Sequence, residues 1–201
     1  YSLQKESAWA NGSRFVEKGN WATYFGYDRQ CVEVSLVNGG FESPVLGPSW
    51  ALFSSIPGWD VAWVYPDNKK DPNVAWFELQ KIYSAAEGNQ YLELDSGNGN
   101  AANDANIRVS QSFVTMPGFD YDVAFSWSPR KESSDNQMQY LLNGDIVFDS
   151  GVVPSSVSVD WADEVFTFNA DGTLATIAFQ EVGTEDQLGM YLDAVSVSCA
   201  E

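Results

Sequence analysis

The chain has no histidine. That removes the usual general base, the Ser–His and Cys–His nucleophile pairs and most zinc sites. Proton chemistry is left to carboxylates, tyrosines and lysines. Glu78, Glu93 and Asp95 could supply the two acids of a glycosidase or lyase, whose separation would decide inversion or retention. A chain this acidic produces such pairs freely, and no catalytic motif accompanies them, so the sequence points away from an enzyme.

A fourth acid raises a different question. In YLDAVSVSC (191–199), strict alternation puts Tyr191, Asp193, Val195 and Val197 on one face, and that face reads as buried. An ionised carboxylate costs several kcal/mol to bury unless it is paired or bound to a metal. In many jelly rolls the first and last strands lie antiparallel, which here would set VEVSLV (32–37) against this segment. Cys31 would then come close to Cys199, as a disulfide requires. Glu42, just beyond the NGG turn, would come beside Asp193. Two carboxylates cannot stay ionised together in a half-buried pocket without a cation, and calcium suits their hard oxygens. The alternatives are two buried thiols and an exposed edge on which both acids face water.

The elements that must position these residues alternate with period two. VEVSLV (32–37), VAWVY (61–65), AWFELQKIY (75–83), QYLELD (90–95), IRVSQSFV (107–114) and YDVAFSW (121–127) read as strands. So do MQYLL (138–142), IVFDS (146–150), DEVFTFNA (163–170), LATIAFQEV (174–182) and MYLDAVSVS (190–198). Gly, Pro, Asn and Asp clusters punctuate them, and no stretch holds a 3.6 period over three turns. The fold class is all-β, an antiparallel β-sandwich of the jelly-roll type. Residues 35–201 would form it. Residues 1–34, aromatic-rich and weakly patterned, would be an arm packed on the sandwich or the remnant of a preceding module. Asn11-Gly12-Ser13 matches a glycosylation sequon by pattern alone. DSGNGNAANDAN (95–106) lacks side-chain ligands at Gly97 and Gly99, so it reads as a strand connection rather than a calcium loop.

On these strands, Trp76, Glu78 and Gln80 share a face, as do Tyr91, Glu93 and Asp95. If the two strands are neighbours, Trp76, Glu78, Glu93 and Asp95 line one polar–aromatic surface of the kind sugars need for stacking and hydroxyl contacts. Arg130, one of few basic residues, would pair with Asp95 or Glu93. Trp63 and Tyr65, beside PDNKKDPN, would flank a loop-borne site. Trp59, Trp127 and Trp161, with Trp63 as the other option for that residue, read as core.

Ten Lys and Arg against 28 Asp and Glu leave a formal charge of −18. Such a field repels phosphate backbones, which excludes nucleic acid and anionic membranes as natural partners. No apolar run is long enough to insert into a membrane. The first residues lack the order of a signal peptide, so the numbering is expected to begin after processing or within a longer chain.

From Leu36 to Val197, LVNGGFESP…IPGW…GNQYLELDS…QSFVTMPGFDYDVAFSWSPR…YLLNGD…GTEDQLGMYLDAVSV resembles the galactose-binding-domain-like jelly-roll modules of secreted bacterial proteins. These are relatives of carbohydrate-binding modules and of adhesin and cell-surface domains. The resemblance implies a structural calcium ion held by a Glu after the first strand and an Asp in the last, here Glu42 and Asp193. Ala194 stands where an Asn is usual, and EDQLG replaces the usual Asp-Ser before the Gly, which puts the outer ligands in doubt. The expectation is a non-catalytic, secreted or cell-surface carbohydrate-binding module whose partner is a polysaccharide or glycan. The alternative is a structural or adhesive module that joins other copies of itself or cell-surface proteins, its arm completing a neighbour's sheet.

Overall fold

The computed structural model describes residues 30–65, 74–97, 105–131, 133, 135–154 and 157–200. The chain divides into two compact units, Tyr1–Cys31 and Val32–Glu201. Nearly all of the expected arm, its sequon, and most of the 66–73 and 97–104 loops lie outside the described residues. Cys31 and Cys199 are disulfide-bonded, as the sequence anticipates. No helix among the described residues is long and apolar enough to cross a membrane.

The described residues of the second unit form twelve strands. They are β1 (Trp50–Phe53), β2 (Asp60–Trp63), β3 (Phe77–Gln80), β4 (Tyr91–Glu93), β5 (Asp95–Ser96) and β6 (Ala105–Val114), followed by β7 (Asp120–Ser128), β8 (Met138–Leu142), β9 (Asp145–Asp149), β10 (Ala162–Asn169), β11 (Leu174–Glu181) and β12 (Tyr191–Cys199). One sheet runs β1-β3-β4-β12-β7-β10 and the other β2-β6-β11-β8-β9, with β5 paired to β6. All described pairings are antiparallel. This is the all-β sandwich that the alternation calls for.

Cross-strand partners share a face, so the registers fix which side chains enter the core. Phe125 of the first sheet meets Phe179 and Tyr140 of the second, with ring centroids 4.9 and 5.5 Å away. That sets the inner face. The same face of the first sheet carries the row Leu79, Leu92, Leu192 and Trp127. The opposite face carries the row Glu78, Glu93, Tyr191 and Ser128. A polar row on an outward face follows from alternation. That Glu93 and Tyr191 are nonetheless buried there shows that further chain covers this face.

Two expectations need correction. Residues 30–36 form no strand, and β12 lies between β4 and β7 rather than against the first segment. The backbone of Val37 is satisfied by a side chain instead: its N–H donates to Gln111 Oε1 at 2.8 Å and its carbonyl accepts from Gln111 Nε2 at 3.0 Å. One glutamine amide thus does the work of a strand neighbour. Nor do Tyr191, Asp193, Val195 and Val197 share a face. The register slips by one residue between Asp193 and Ser196, and Ala194 sits at φ 53°. A bulge of this kind reverses the side-chain sense of the residues beyond it. Tyr191 and Asp193 point outward, while Val197 opposes the core residue Val123.

Candidate functional site

The acids of interest fall into two groups. Glu42 and Asp193 both grip the segment 86–90, though no strand pair brings them together. Glu42 Oε1 accepts the N–H groups of Asn89 at 2.7 Å and Gln90 at 3.0 Å. Its Oε2 has no hydrogen bond among the described residues. Asp193 is fully buried, and its two oxygens accept from Glu87 N and Ala194 N at 2.9 and 2.8 Å. Burial pushes its carboxyl up to about 7. Backbone amides therefore already supply the positive ends that the sequence reading assigned to a cation alone. Among the described residues no three acid, Cys or His side chains converge on a point that could hold a metal.

The second group lies along the outer row of β3 and β4. Glu78 and Glu93 are direct cross-strand partners. Gln80 Nε2 spans the pair, donating to Glu78 Oε1 at 2.5 Å and also to Glu93 Oε2. Arg130 Nη1 makes an ion pair with Glu93 Oε1 and donates to the Gln187 carbonyl at 3.1 Å. Gly189 N adds a donor to Glu93 Oε1 at 2.9 Å. Glu93 has no exposed surface, whereas the Arg130 side chain keeps 23% of its own. Burial drives Glu93 well above the ordinary carboxylate range; Arg130 pulls it back and Glu78 pushes it further up. Glu78 is also raised by burial, although the hydrogen bond from Gln80 opposes this.

Aromatic rings surround the acids. Tyr91 and Tyr191 lie 4.7 Å apart, and Trp161 meets Tyr91 edge-on at 5.5 Å. Trp161 donates through Nε1 to the Ser84 carbonyl at 2.9 Å, so it covers the outer face and does not belong to the core as the sequence suggests. Burial pushes the Tyr91 phenol up to about 12 and raises that of Tyr191 as well. Beyond these rings the face opens. Trp50 pairs with Gln80 in register and is 48% exposed. Trp76, on the Glu78 side by alternation, is 43% exposed, and Tyr83 is 37% exposed.

The structure therefore brings Glu78, Glu93 and Arg130 together, with Trp76 beside them. It places the other expected ligand residues elsewhere. Asp95 is buried on β5, where its Oδ2 accepts from Asp186 N and Gln187 N at 2.8 and 2.9 Å and holds that loop. Trp63 ends β2 in the other sheet, opposite Ile107, and Tyr65 lies two residues further on. Trp50, Gln80, Tyr83, Tyr91, Tyr191 and Trp161 complete the cluster. Only register could have recruited Trp50, since WALF has no alternation to flag a strand.

No protein-family model and no curated protein matches this chain. Solved structures do. A cyclase from Fischerella sp. TAU, in complex with 4-(1H-indol-3-yl)butan-2-one, superposes with a TM-score of 0.56 at 17% identity, over 85% of this chain and 99% of that one. The K3 cleaved adhesin domain of Lys-gingipain from Porphyromonas gingivalis gives 0.51 at 12% identity, over 85% and 100%. A family 35 carbohydrate-binding module from Clostridium thermocellum gives 0.45 at 12%, over 86% and 100%. At such identities the first two show a shared jelly-roll fold, and a fold hosts many functions.

Proposed function

We propose that this chain is a non-catalytic, extracellular carbohydrate-binding module that takes its glycan on the outer face of the first sheet. One observation carries the reading. Trp50, Trp76 and Tyr83 stand exposed around a floor of Glu78, Gln80, Glu93 and Arg130. Flat rings offer stacking surface to a sugar, and fixed polar groups beside them select its hydroxyls. Exposed apolar rings gathered at one place on a chain this acidic mark a binding surface.

The same geometry argues against a glycosidase built on this pair. A retaining enzyme needs its carboxyls about 5–5.5 Å apart and an inverting one about 6.5–9.5 Å, so that a sugar carbon or a water fits between. Glu78 and Glu93 share one donor, Gln80 Nε2, and Glu93 has no exposed surface at which a sugar carbon or a water could enter. The disulfide fits an oxidising, extracellular compartment. A calcium ion at Glu42 and Asp193 would fasten the 86–90 segment to the last strand, a structural role away from the rings. Association with other copies or with cell-surface proteins would need residues 1–34, which lie almost wholly outside the described residues.

A glycan array in calcium buffer tests the reading. Binding to at least one glycan class, lost in the double variant Trp50→Ala/Trp76→Ala, is expected. A folded protein that binds none overturns it. Chelation should lower the melting temperature of the parent chain and leave that of Asp193→Asn unchanged; equal responses would remove the ion from the proposal.

A further inference from the structure

The charge balance of the cluster goes further than the geometry of its rings, and it rests on the carbohydrate-binding reading. Two carboxyls, Glu78 and Glu93, face one guanidinium, Arg130. Among the described residues, the other elements packed here contribute no further charge to the pair. Beside Glu78, β3 brings the neutral Gln80, and β1 brings Trp50 and Leu52. The phenols of Tyr91 and Tyr191 come from β4 and β12, and the hydroxyl of Ser128 from β7. Tyr83, Gln187 and Gly189 reach in from loops. Asp193, the next outward acid on β12, is turned to the Glu87 amide.

The hydrogen bonds say where the odd charge goes. Three donors converge on Glu93, from Arg130, Gly189 and Gln80, as an ionised carboxylate wants. Glu78 receives one donor, from Gln80. Two adjacent buried carboxyls that share one Gln80 donor and one guanidinium cannot both stay ionised. Glu78 is the member of the pair nearer the surface, at 9% exposure. The cluster is then neutral: Glu93 is paired with Arg130, and Glu78 is an acid. Toward a ligand it offers an oxygen of Glu78 as acceptor and the Nε and Nη2 groups of Arg130 as donors; neither nitrogen has a hydrogen bond among the described residues.

We propose that Glu78 and Glu93 hold one proton between them, and that the site they form takes uncharged, hydroxyl-rich sugars and rejects sugars bearing a carboxylate. A hydroxyl both donates and accepts, so it meets this donor–acceptor pair without bringing a charge. A uronate would have to give up its hydration to a cluster of zero net charge, on a protein whose formal charge is −18. Loss of the proton would leave two adjacent carboxylates facing one guanidinium and would loosen the floor on which the sugar rests.

Calorimetric titration across pH 5.5 to 9 tests this, with neutral gluco-, xylo- and galacto-oligosaccharides against uronate oligosaccharides of matched length. Neutral sugars should bind, with affinity falling about tenfold or more as the pair gives up its proton. Uronates should bind at least tenfold more weakly at every pH. The Glu78→Gln variant, whose amide cannot ionise, should show no such pH dependence. Uronates binding as well as neutral sugars, or a parent pH profile that matches Glu78→Gln, would overturn the inference while leaving a sugar-binding module in place. Absence of binding to any sugar by the folded chain overturns the functional reading itself. Should Glu78→Gln fail to fold, titrating the parent at alkaline pH in two buffers of different ionisation heat decides: uptake of close to one proton on binding is expected, and zero uptake refutes.

Discussion

Glu93 and Glu181 are both buried acids, and both hold the same stretch of chain, yet they do it in opposite ways. Glu181 ends β11 and accepts three backbone amides, from Gln137 at 2.6 Å, Gly183 at 3.2 Å and Met190 at 2.8 Å. No basic side chain among the described residues donates to it. Glu93 accepts only one backbone amide among the described residues, from Gly189, and finds the rest of its partners in Arg130 and Gln80. A carboxyl fed only by backbone is a pin: its partners cannot move without unfolding a loop. A carboxyl fed by side chains that reach the surface can exchange those partners with a ligand. The contrast separates the acids that build this fold from those that can recognise something.

Arg130→Ala should have the largest effect, because it leaves Glu93 buried with no countercharge. Breaking such a pair costs about 3–5 kcal/mol. Here the lower end is expected, since Glu93 can take up a proton, and sugar binding should vanish as well. Denaturant unfolding gives the number; a loss below about 1 kcal/mol would mean that the ion pair contributes little and would blur the contrast.

Glu181→Gln comes next, at about 1–3 kcal/mol, because an amide nitrogen cannot accept from Met190 N–H and a buried donor is left unpaired. Sugar affinity should not change. The same variant tests a pH dependence. Burial pushes Glu181 up to about 8 from an ordinary value of 4.5. A raised value means that the folded state holds a proton the unfolded state has released. The stability it brings is complete below about 4.5 and is lost as pH rises through about 8. The melting temperature of the parent should therefore fall over that range, and that of Glu181→Gln should fall less. Parallel curves would show that Glu181 is ionised in the folded chain.

Trp76→Ala should have the smallest effect on stability, within about 0.5 kcal/mol, as befits an exposed side chain. If the ring stacks on a sugar, affinity should drop by about 0.5–1.5 kcal/mol, or roughly two- to tenfold. Unaltered affinity would move the ligand away from this face.

Much of the framework was legible because alternation reports burial directly. MQYLL coincides with β8, and LATIAFQEV and DEVFTFNA meet β11 and β10 within a residue at either end. The two failures have a common cause. VEVSLV alternates as well as any strand, but Gln111, 74 residues away from Val37, takes the bonds that a neighbouring strand would have made. WALF shows no alternation, yet it pairs with β3 throughout. Alternation records which way side chains point; it cannot record what the backbone bonds to. The site divides along the same line. That Arg130 would pair with Glu93 or Asp95 was legible because so few basic residues compete for so many acids, and the structure selects Glu93. Asp95 was misplaced because sequence spacing put it beside Glu93, whereas its carboxylate turns to the loop at Asp186 and Gln187.

Hydrophobic period and residue inventory are properties of the chain alone, and they were enough to set the sandwich, the acidity and the lack of histidine chemistry. Which face each acid occupies was settled by tertiary contacts. A bulge of one residue at Ala194 leaves Asp193 outward, in phase with Tyr191, while returning Val197 to the core. Cross-strand register, in turn, sets Glu78 against Glu93 and Trp50 beside Gln80. Both depend on hydrogen bonds between segments far apart in the chain, and local residue order does not encode such bonds.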